Sequence, residues 1–367
     1  MSDSDALLPL RDEIDRLDQE IQSLIEKRAK CALQVAEVKQ AQSAPGEELV
    51  FYRPEREAAI LNRVKARNKG PLPDKEVAQV FRAIISSCLA LEKPLEVAYL
   101  GPEGTFTQAA TMRHFGHAVR CQPMQTIAQV FSQVENKECN YGVVPVENST
   151  EGMVSHTLDN FMASNLTICG EVEMPIQLHL MTQPGADFNK VTRICAHQQA
   201  LAQCRSWLES HHPNVDVVAV SSNGEAAKIA LHDASIAAVA GDIAQQQYAL
   251  EKVASNIQDR VENSTRFLVV GRDKVPFHDG VDFKTSLIIS THNEAGALFR
   301  LLESFEKEGV NLTRIDTRPS KTQNWAYVFF IEFEGHSDQP IIQQVLARLK
   351  EQSLMLKALG SYPRAVI

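Results

Sequence analysis

The first segment of the chain has two cations on nearly the same face of a helix, and one of them replaces an apolar residue of the helical pattern. Apolar side chains recur there at alternating spacings of four and three, which is typical of a helix with one apolar seam: Leu10, Ile14, Leu17, Ile21, Leu24, Cys31, Val35 and Val38. The seam predicts an apolar residue at position 28, but the sequence has Arg28. Lys39 follows 11 residues later, about 20° away in helical phase and roughly 16 Å along the axis. Both side chains could therefore bind one small anion.

Arg11 is a third cation of this segment, but its own helix cannot bring it to the other two. It precedes Arg28 by 17 residues, which is about 100° out of phase. Arg11 could therefore join such a site only from another chain. The helix alone leaves a simpler reading open, in which a seam arginine reaches solvent with its charged end or pairs with an acid.

A second group of polar residues follows the strands of the middle segment. Three strand-like runs each end in a polar loop, namely Gly101–Thr107, Pro145–Gly152 and Ala196–Gln199. Glycine-rich strand-to-helix turns offer free backbone N–H groups to anions, and loops at the carboxyl ends of parallel strands line one crevice. A fourth polar stretch, Asn263–Phe267, leads into another strand. The simpler reading of that stretch is a strand start at Thr265 and a surface cation at Arg266.

The elements that must position these residues are helical at first. The pattern indicates helices from Leu7 to Leu91. The first has about 36 residues and a length of about 54 Å, and Gly46 interrupts it. Pro54 and Pro73 can each begin a further helix. Two shorter helices cannot cover the seam of so long a helix, so we expect two chains to pair their long helices in a dimer.

From Leu95 the pattern alternates between strands and helices, which predicts a mainly parallel sheet. The strand-like runs are Leu95–Leu100, Tyr141–Val146, Gln177–Met181, Val191–Ala196, Val215–Val220, Ile236–Ala240 and Arg266–Val270. Gly271–Lys284 is polar and rich in turn-forming residues, as in a linker. The remainder, from Thr285, follows the ferredoxin-like order β-α-β-β-α-β. Its strands are Ser286–Thr291, Arg314–Thr317, Ala326–Glu332 and Met355–Ser361, and its helices are Ala297–Glu308 and Pro340–Glu351.

Composition excludes several classes of protein. The 367 residues are 44% hydrophobic and 23% charged, which is typical of two or three globular domains. A net charge of -9 argues against a nucleic-acid-binding surface, so anionic substrates would need locally placed Arg and Lys. Seven cysteines without a C-x-x-C motif predict reduced thiols and neither disulfides nor a zinc site. The acidic N-terminus is unlike a signal peptide, and no apolar run is long enough for a membrane span, so we expect a cytoplasmic protein.

The first 92 residues resemble the all-helical chorismate mutases. The matching residues are Leu10–Asp15, Glu26–Arg28, Lys39 and Arg53–Glu57. That family is an intertwined dimer of three-helix protomers, in which each active site borrows an arginine from the partner, and Arg11 matches this arginine. Its reaction is a Claisen rearrangement of a dicarboxylate enol ether. Orientation and electrostatic stabilisation suffice for it, without a nucleophile or a cofactor.

The resemblance implies a role for each matching residue of this segment. Arg28 and Arg11 of the partner subunit would hold the two carboxylates of the substrate. Lys39 would donate a hydrogen bond to the ether oxygen, where charge develops. Glu55 would bind the substrate hydroxyl. Glu92 matches a position that provides a second hydrogen bond to the ether oxygen, and many relatives have glutamine there.

Residues 96–272 resemble the prephenate dehydratases. The strings Glu147–Gly152 and Thr265–Phe267 carry this resemblance and are specific in combination. The family fold has two α/β lobes like those of a periplasmic binding protein, with the active site in the cleft. Here the second lobe would run from about Pro175 to Val253, and the chain would return to the first lobe at Ile257–Val270.

The dehydratase reaction expels carbon dioxide and the ring hydroxyl from prephenate, and formation of the aromatic ring drives it. The enzyme needs a proton or hydrogen bond for the departing hydroxide and a hold on the carboxylates. Thr265 matches the catalytic threonine of the family and would donate that hydrogen bond. Arg266 would supply charge and Phe267 would shape the pocket. Further residues would position the substrate, namely Glu147, Asn148, Ser149 and Gln199.

The last segment, residues 283–367, resembles an ACT regulatory domain. Asn293–Phe299 places small residues at a strand-to-helix turn, where backbone N–H groups can bind an amino-acid carboxylate. Asp316–Pro319 matches the second effector motif of the family, which more often reads Glu-Ser-Arg-Pro. The resemblance implies an L-phenylalanine site at a dimer interface, formed by Gly296, Ala297, Leu298, Asp316, Thr317, Arg318 and Pro319.

Together the three resemblances imply a bifunctional chorismate mutase/prephenate dehydratase with a multidomain fold. Its parts would be an all-α domain (1–92), a two-lobed α/β domain (96–272) and an α+β ferredoxin-like ACT domain (283–367). Such an enzyme converts chorismate to prephenate and then to phenylpyruvate under feedback by L-phenylalanine. We expect a homodimer or a larger oligomer, and neither a metal nor a cofactor. Two alternatives remain: a non-catalytic amino-acid sensor, and a dehydratase whose helical domain serves only for dimerisation.

Overall fold

The structure is a computed structural model that describes residues 3–42, 50–150, 152–260, 262–291, 294–319 and 327–366. The helices are α1 (Asp3–Gln42), α2 (Pro54–Arg67), α3 (Asp74–Glu92), α4 (Phe106–Phe115), α5 (Ile127–Glu135), α6 (Ser155–Ala163), α7 (Gln198–Gln203), α8 (Arg205–His211), α9 (Asn223–His232), α10 (Asp242–Tyr248), α11 (Ala297–Glu306) and α12 (Pro340–Gln352). The strands are β1 (Glu96–Leu100), β2 (Arg120–Met124), β3 (Tyr141–Asn148), β4 (Gly152–Met153), β5 (Thr167–Pro175), β6 (His179–Thr182), β7 (Arg193–His197), β8 (Asp216–Val220), β9 (Ile236–Ala240), β10 (Glu251–Ala254), β11 (Ser264–Gly271), β12 (Phe283–Ser290), β13 (Leu312–Pro319), β14 (Tyr327–Glu334) and β15 (Met355–Pro363).

The N-terminal part is helical, as the seam predicts. α1 has 40 residues, and α3 packs against both α1 and α2. Pro54 is the first residue of α2. Pro73 instead precedes α3, with an extended ψ of 143° that places it outside the helix. The predicted helix start at Pro73 is therefore one residue early.

The next part has two lobes, each built on its own sheet. The first sheet has the order β2-β1-β3-β11-β5, and the second has the order β10-β6-β9-β7-β8. β1, β2 and β3 run parallel, but β11 is antiparallel to both β3 and β5. The prediction of a mainly parallel sheet is therefore wrong for β11, because the chain re-enters the first sheet from the second lobe in the opposite direction. It is also wrong for β6, which runs antiparallel to β9 in the second sheet.

The sequence pattern does not indicate β2 or β5. β2 lies at the sheet edge and is largely exposed, so its residues Arg120–Met124 need no apolar run. β5 is interrupted by Gly170 and Glu171, although Glu171 is buried. Glu171 can be buried because it forms ion pairs with Arg266 and with Lys284. The sequence does not reveal these pairs.

The C-terminal part is a four-stranded antiparallel sheet with the order β13-β14-β12-β15, which is the ferredoxin-like arrangement predicted. α11 and α12 pack against one of its faces, around Leu287, Phe305 and Val345. The other face shares a core with the first lobe of the dehydratase-like part, in which Phe330 and Tyr362 join its side chains.

β15 and β5 lie so close that one position admits only glycine. Gly360 has a φ of +136°, and a Cβ there would lie 2.4 Å from the backbone oxygen of Ile168. The two sheets are therefore packed backbone against backbone at this point.

The helical part is joined to the first lobe through a buried aromatic contact. Tyr52, which precedes α2, packs in one core with Phe115 and Val143. The Tyr52 hydroxyl lies 2.8 Å from Nε2 of His114 on α4. Burial and the nearby Arg82 lower the pKa of His114 to about 3, so the ring is neutral and shares one hydrogen bond with the tyrosine hydroxyl.

Candidate active sites

A cavity of about 330 Å³ opens where the three N-terminal helices meet. α1 contributes Arg28 and Lys39, α3 contributes Glu92, and α2 contributes Arg56 and Glu57. The structure thus brings Arg28, Lys39 and Glu92 together, although they are far apart in the sequence. Lys39 is held there by the ring of Phe51, with its Nζ 5.1 Å from the ring centroid.

Glu92 faces these cations with an oxygen that has no hydrogen-bond partner among the described residues. Its Oε2 is buried and unpartnered. Burial raises the pKa of Glu92, and the weaker opposing effects of Lys39, Arg56 and Arg28 do not cancel that rise. A carboxyl group that retains its proton can donate a hydrogen bond, which an ionised carboxylate cannot do.

Glu55 does not line this cavity. Its side chain is buried and accepts a hydrogen bond of 2.6 Å from Nε of Arg53. Two residues along a helix correspond to about 200° in phase, so Glu55 and Glu57 cannot face the same side of α2. The structure therefore does not support the predicted contact of Glu55 with the substrate in this cavity. Glu57, which lines the cavity, is in a position to make that contact instead.

Glu57 lies in the cavity wall and is fixed by a cation from α3. Nε of Arg82 donates to Oε1 of Glu57 at 3.1 Å. Burial raises the pKa of Glu57 against the lowering effect of Arg82. In the sequence, Glu57 is the second glutamate of the Arg53–Glu57 motif. It lies two positions after Glu55, the residue predicted to bind the substrate hydroxyl.

Arg11 lies on α1 away from the cavity of its own chain, and it is exposed. The seam of α1 is exposed as well: Leu10, Ile14, Leu17, Ile21 and Leu24 have exposed fractions of 42% to 63%. Contiguous apolar surface of this kind is typical of an interaction site.

The middle part brings Thr265 against Asn148. The two residues face each other across β11 and β3, and Nδ2 of Asn148 donates to Oγ1 of Thr265 at 2.9 Å. Oδ1 of Asn148 accepts from the backbone N–H of Thr150 at 2.9 Å, which fixes the orientation of the amide. Oγ1 of Thr265 thus accepts a hydrogen bond from Asn148. The hydroxyl proton of Thr265 can therefore be donated to another group, such as a substrate.

Gln203 completes this polar network from the second lobe, and sequence reasoning missed it. Its Oε1 accepts from Asn263 at 3.0 Å, and its Nε2 donates to Thr150 at 3.3 Å. The predicted residue Gln199 lies one turn earlier on α7 and is half-buried. His197 caps α7 by accepting from the backbone N–H of Gln199, which is a structural role. The sequence signal for Gln203 is its spacing of four residues from Gln199, which places both on the same face of a helix.

Arg266 and Glu147 face away from Thr265. Arg266 is 8% exposed and donates to both oxygens of Glu332 on β14, at 2.7 Å and 3.0 Å. Burial disfavours its charge, but Glu332, Tyr362 and Glu171 together outweigh this effect and raise the pKa of Arg266. Glu147 lies beside it and pairs with Arg314. Because neighbouring strand residues point to opposite faces, Arg266 and Glu147 lie away from the Thr265 hydroxyl. They line a separate cavity of about 310 Å³ together with Ser149, and their contacts with substrate stay predictions.

Phe267 and Ser149 support the site from behind. Phe267 is 1% exposed and packs in the core, so it could shape the pocket only from behind. Ser149 accepts at Oγ from the backbone N–H of Ser264 at 2.9 Å and thereby joins the two loops.

The candidate effector residues lie on two elements of the C-terminal part. Gly296, with a φ of +77°, immediately precedes α11, and Ala297 and Leu298 begin that helix. Asn293 and the side chain of Pro319 lie outside the described residues. On β13, Thr317 is exposed, whereas the side chains of Asp316 and Arg318 contact other residues, as described below.

Comparisons with known proteins agree with this division of the chain. Family models match for chorismate mutase type II at residues 10–93, prephenate dehydratase at residues 97–275 and the ACT domain at residues 285–351. Bifunctional chorismate mutase/prephenate dehydratases of Stutzerimonas stutzeri and Pseudomonas aeruginosa are each 53% identical over 100% of both chains. The chain belongs to this bifunctional family. It therefore has both enzyme activities, chorismate mutase and prephenate dehydratase, and the predicted function and fold class are confirmed.

Solved structures resemble the second and third parts of this bifunctional protein. A prephenate dehydratase of Arthrobacter aurescens, in complex with L-Phe, is 35% identical, with a TM-score of 0.68 over 74% of this chain and 90% of that chain. A prephenate dehydratase of Staphylococcus aureus shares the fold at 24% identity, with a TM-score of 0.60 over 73% of this chain and 100% of that chain. A quorum-quenching acylase, GqqA, is 27% identical with a TM-score of 0.67 over 74% of this chain and 98% of that chain. The fold alone therefore does not determine the activity.

Three further features concern membranes, metal ions and disulfides. Among the described residues, no helix is long and apolar enough to cross a membrane. In the same part of the chain, no group of three His, Cys, Asp or Glu side chains could hold a metal ion. All seven cysteines are free.

Proposed function

We propose that chorismate rearranges in the cavity between α1, α2 and α3. Its volume of about 330 Å³ suits a small molecule. Arg28 and Arg56 would hold carboxylates of the substrate, and Glu57 would accept a hydrogen bond from its hydroxyl. Lys39 and protonated Glu92 would donate to the ether oxygen while its carbon–oxygen bond breaks. The grouping of Arg28, Lys39 and Glu92 in one cavity is the observation that carries this proposal.

The mutase site is proposed to be complete only in a homodimer. The exposed apolar seam of α1 would pair with that of a second copy, which buries both. This pairing would place Arg11 of the partner subunit beside the cavity, in agreement with its phase relative to Arg28. Because all seven cysteines are free, we also propose a cytoplasmic location.

Prephenate is proposed to bind beside Thr265, between the two lobes. Thr265 would donate its hydroxyl proton as a hydrogen bond to the leaving ring hydroxyl, because Oγ1 already accepts from Asn148. Departure of the hydroxide and loss of carbon dioxide then leave phenylpyruvate. Gln203 and Asn263 would hold Asn148 and Thr150 in place across the cleft.

L-Phenylalanine is proposed to bind at the start of α11 and at β13, and to inhibit the dehydratase. The complex of the Arthrobacter aurescens dehydratase with L-Phe supports this ligand. Backbone N–H groups at the start of α11 can hold an amino-acid carboxylate. Calorimetry should detect phenylalanine binding to the intact protein, and no binding at millimolar concentrations would contradict the proposal.

The decisive test of both activities is to assay the purified protein with chorismate and with prephenate separately. We expect it to consume both. Consumption of neither would favour an amino-acid sensor, and consumption of prephenate alone would mean that the helical domain serves only for dimerisation.

A further inference from the structure

β13 of the ACT domain runs beside the segment that carries Asn148. We define the Asn148 segment as residues 147–155, of which residue 151 is not described. It comprises the end of β3, the short strand β4 that folds back on β3, and the first residue of α6. Because Asn148 donates to Thr265, any displacement of this segment disturbs the contact that orients the Thr265 hydroxyl.

Arg314 on β13 binds the first residue of the Asn148 segment. Its two terminal nitrogens contact the two carboxylate oxygens of Glu147, and its Nε lies 3.0 Å from Oδ2 of Asp316. Such a paired contact fixes direction as well as distance. The side chains of Arg314 and Glu147 are 18% and 25% exposed, so water screens this pair much less than a surface pair.

Arg318 on the same strand binds the last residue of the Asn148 segment. Its Nη1 donates to Oγ of Ser155, and its Nη2 lies 3.3 Å from the Ser155 carbonyl oxygen and 3.3 Å from Oδ1 of Asp159. Both ends of the segment are therefore held by one strand of another domain. Arg318 is also part of the second candidate effector motif.

The strand that carries Thr265 is attached to the ACT domain in a similar way. The Arg266–Glu332 pair connects β11 to β14. Glu171 on β5 contacts both Arg266 and Lys284 of β12 at 3.3 Å and 2.9 Å. This cluster is fixed on the central strands of the ACT sheet, whereas β13 lies at its edge. The two strands that carry Thr265 and Asn148 are therefore attached to different strands of the ACT sheet.

We propose that Arg314 and Arg318 are positioning residues of the dehydratase, which hold the Asn148 segment in register with Thr265. The inference deepens the proposed function, because it assumes dehydration at Thr265 and an amino-acid effector at β13. An effector that engages Asp316–Pro319 shifts β13 and carries Asn148 away from Thr265. Inhibition then lowers the rate of the chemical step more than the affinity for prephenate.

The test compares Arg314→Ala and Arg318→Ala with Arg348→Ala as a matched control. Arg348 also forms an ACT-domain ion pair, with Glu308 at 2.7 Å, but it does not contact the Asn148 segment. For each full-length variant we would measure dehydratase kcat and KM, mutase rate and phenylalanine binding by calorimetry. Arg314→Lys and Arg318→Lys test whether a retained charge restores part of the activity.

We expect kcat of the dehydratase to fall about tenfold to 100-fold in Arg314→Ala and Arg318→Ala, as for a misplaced catalytic group. KM and the mutase rate should change little, and the lysine variants should recover part of kcat. Phenylalanine should inhibit the residual activity of Arg314→Ala less than that of wild type, although it still binds. Arg348→Ala should behave as wild type.

Two results would overturn the inference. An unchanged kcat in both alanine variants would mean that β13 does not position the segment. A joint loss of mutase and dehydratase activity, in the lysine variants as well, would mean that these arginines only support the fold. The wild-type protein tests the proposed function separately. If the proposed function fails, wild type itself does not convert prephenate or does not bind phenylalanine.

Discussion

At the scale of single residues, Glu92 makes the mutase sensitive to pH. The competent form is the protonated one, because only it donates to the ether oxygen. Burial raises the pKa of Glu92, so the proton is retained above the ordinary range and lost as pH rises through the raised pKa. We predict that mutase kcat falls with rising pH through that value and that Glu92→Gln removes the decline.

The dehydratase activity of the same preparations is the control for this profile, since its site lacks Glu92. A wild-type mutase rate that stays flat from about pH 5 to 8, the range above an ordinary glutamate pKa, and equals that of Glu92→Gln, would show that Glu92 is only a solvated helix end.

Glu57 and Glu55 form a matched pair of carboxylates on opposite sides of α2. Glu57→Gln should lower mutase kcat/KM about tenfold to 100-fold, as expected for loss of a hydrogen bond to a charged group. Glu55→Gln should have a much smaller effect on catalysis, because its carboxylate does not line the cavity and acts on it only through Arg53. Steady-state kinetics with chorismate distinguish them, and a larger loss at Glu55 would reinstate the role that the sequence resemblance gave it.

At the scale of elements, the seam of α1 should determine both assembly and mutase activity. Leu17→Glu places a charge in the seam, so it should shift the dimer toward monomer and abolish mutase activity, because Arg11 of the partner subunit is lost. Gln19→Glu lies about 200° away on the same helix and serves as the control. Sedimentation velocity measures the assembly, and a Leu17→Glu protein with full mutase activity would contradict the shared site.

Elements with a strong period were predictable, and those that depend on distant contacts were not. The helical seam and the β-α-β-β-α-β order emerge from spacing alone, and the fold places α1, α11 and α12 accordingly. The sequence did not predict β5, because the burial of Glu171 depends on ion pairs with Arg266 and Lys284, which are far away in sequence. Within the sites, Asn148 and Thr265 come together as cross-strand partners. Arg266 follows Thr265 on β11 and therefore lies on the opposite face of the sheet. The Thr-Arg-Phe motif alone does not reveal this, because it does not show that the motif lies in a strand.

At the scale of the whole molecule, three domains share buried surface but not catalytic residues. Tyr52 ties the helical domain to α4 through His114, and Gly360 packs the ACT domain onto β5. The cavity around Arg28 and the network around Thr265 nevertheless have no side chain in common. We therefore expect two reactions at two separate sites of one chain.

The most direct measurement of this claim is a crossed assay of Arg28→Ala and Thr265→Ala with chorismate and prephenate. Arg28→Ala should lose mutase activity, because a substrate carboxylate loses its charge-assisted partner, and it should keep dehydratase activity. Thr265→Ala should lose dehydratase activity and keep the mutase rate of wild type. A near-native dehydratase rate in Thr265→Ala, or loss of both activities in either variant, would contradict two independent sites.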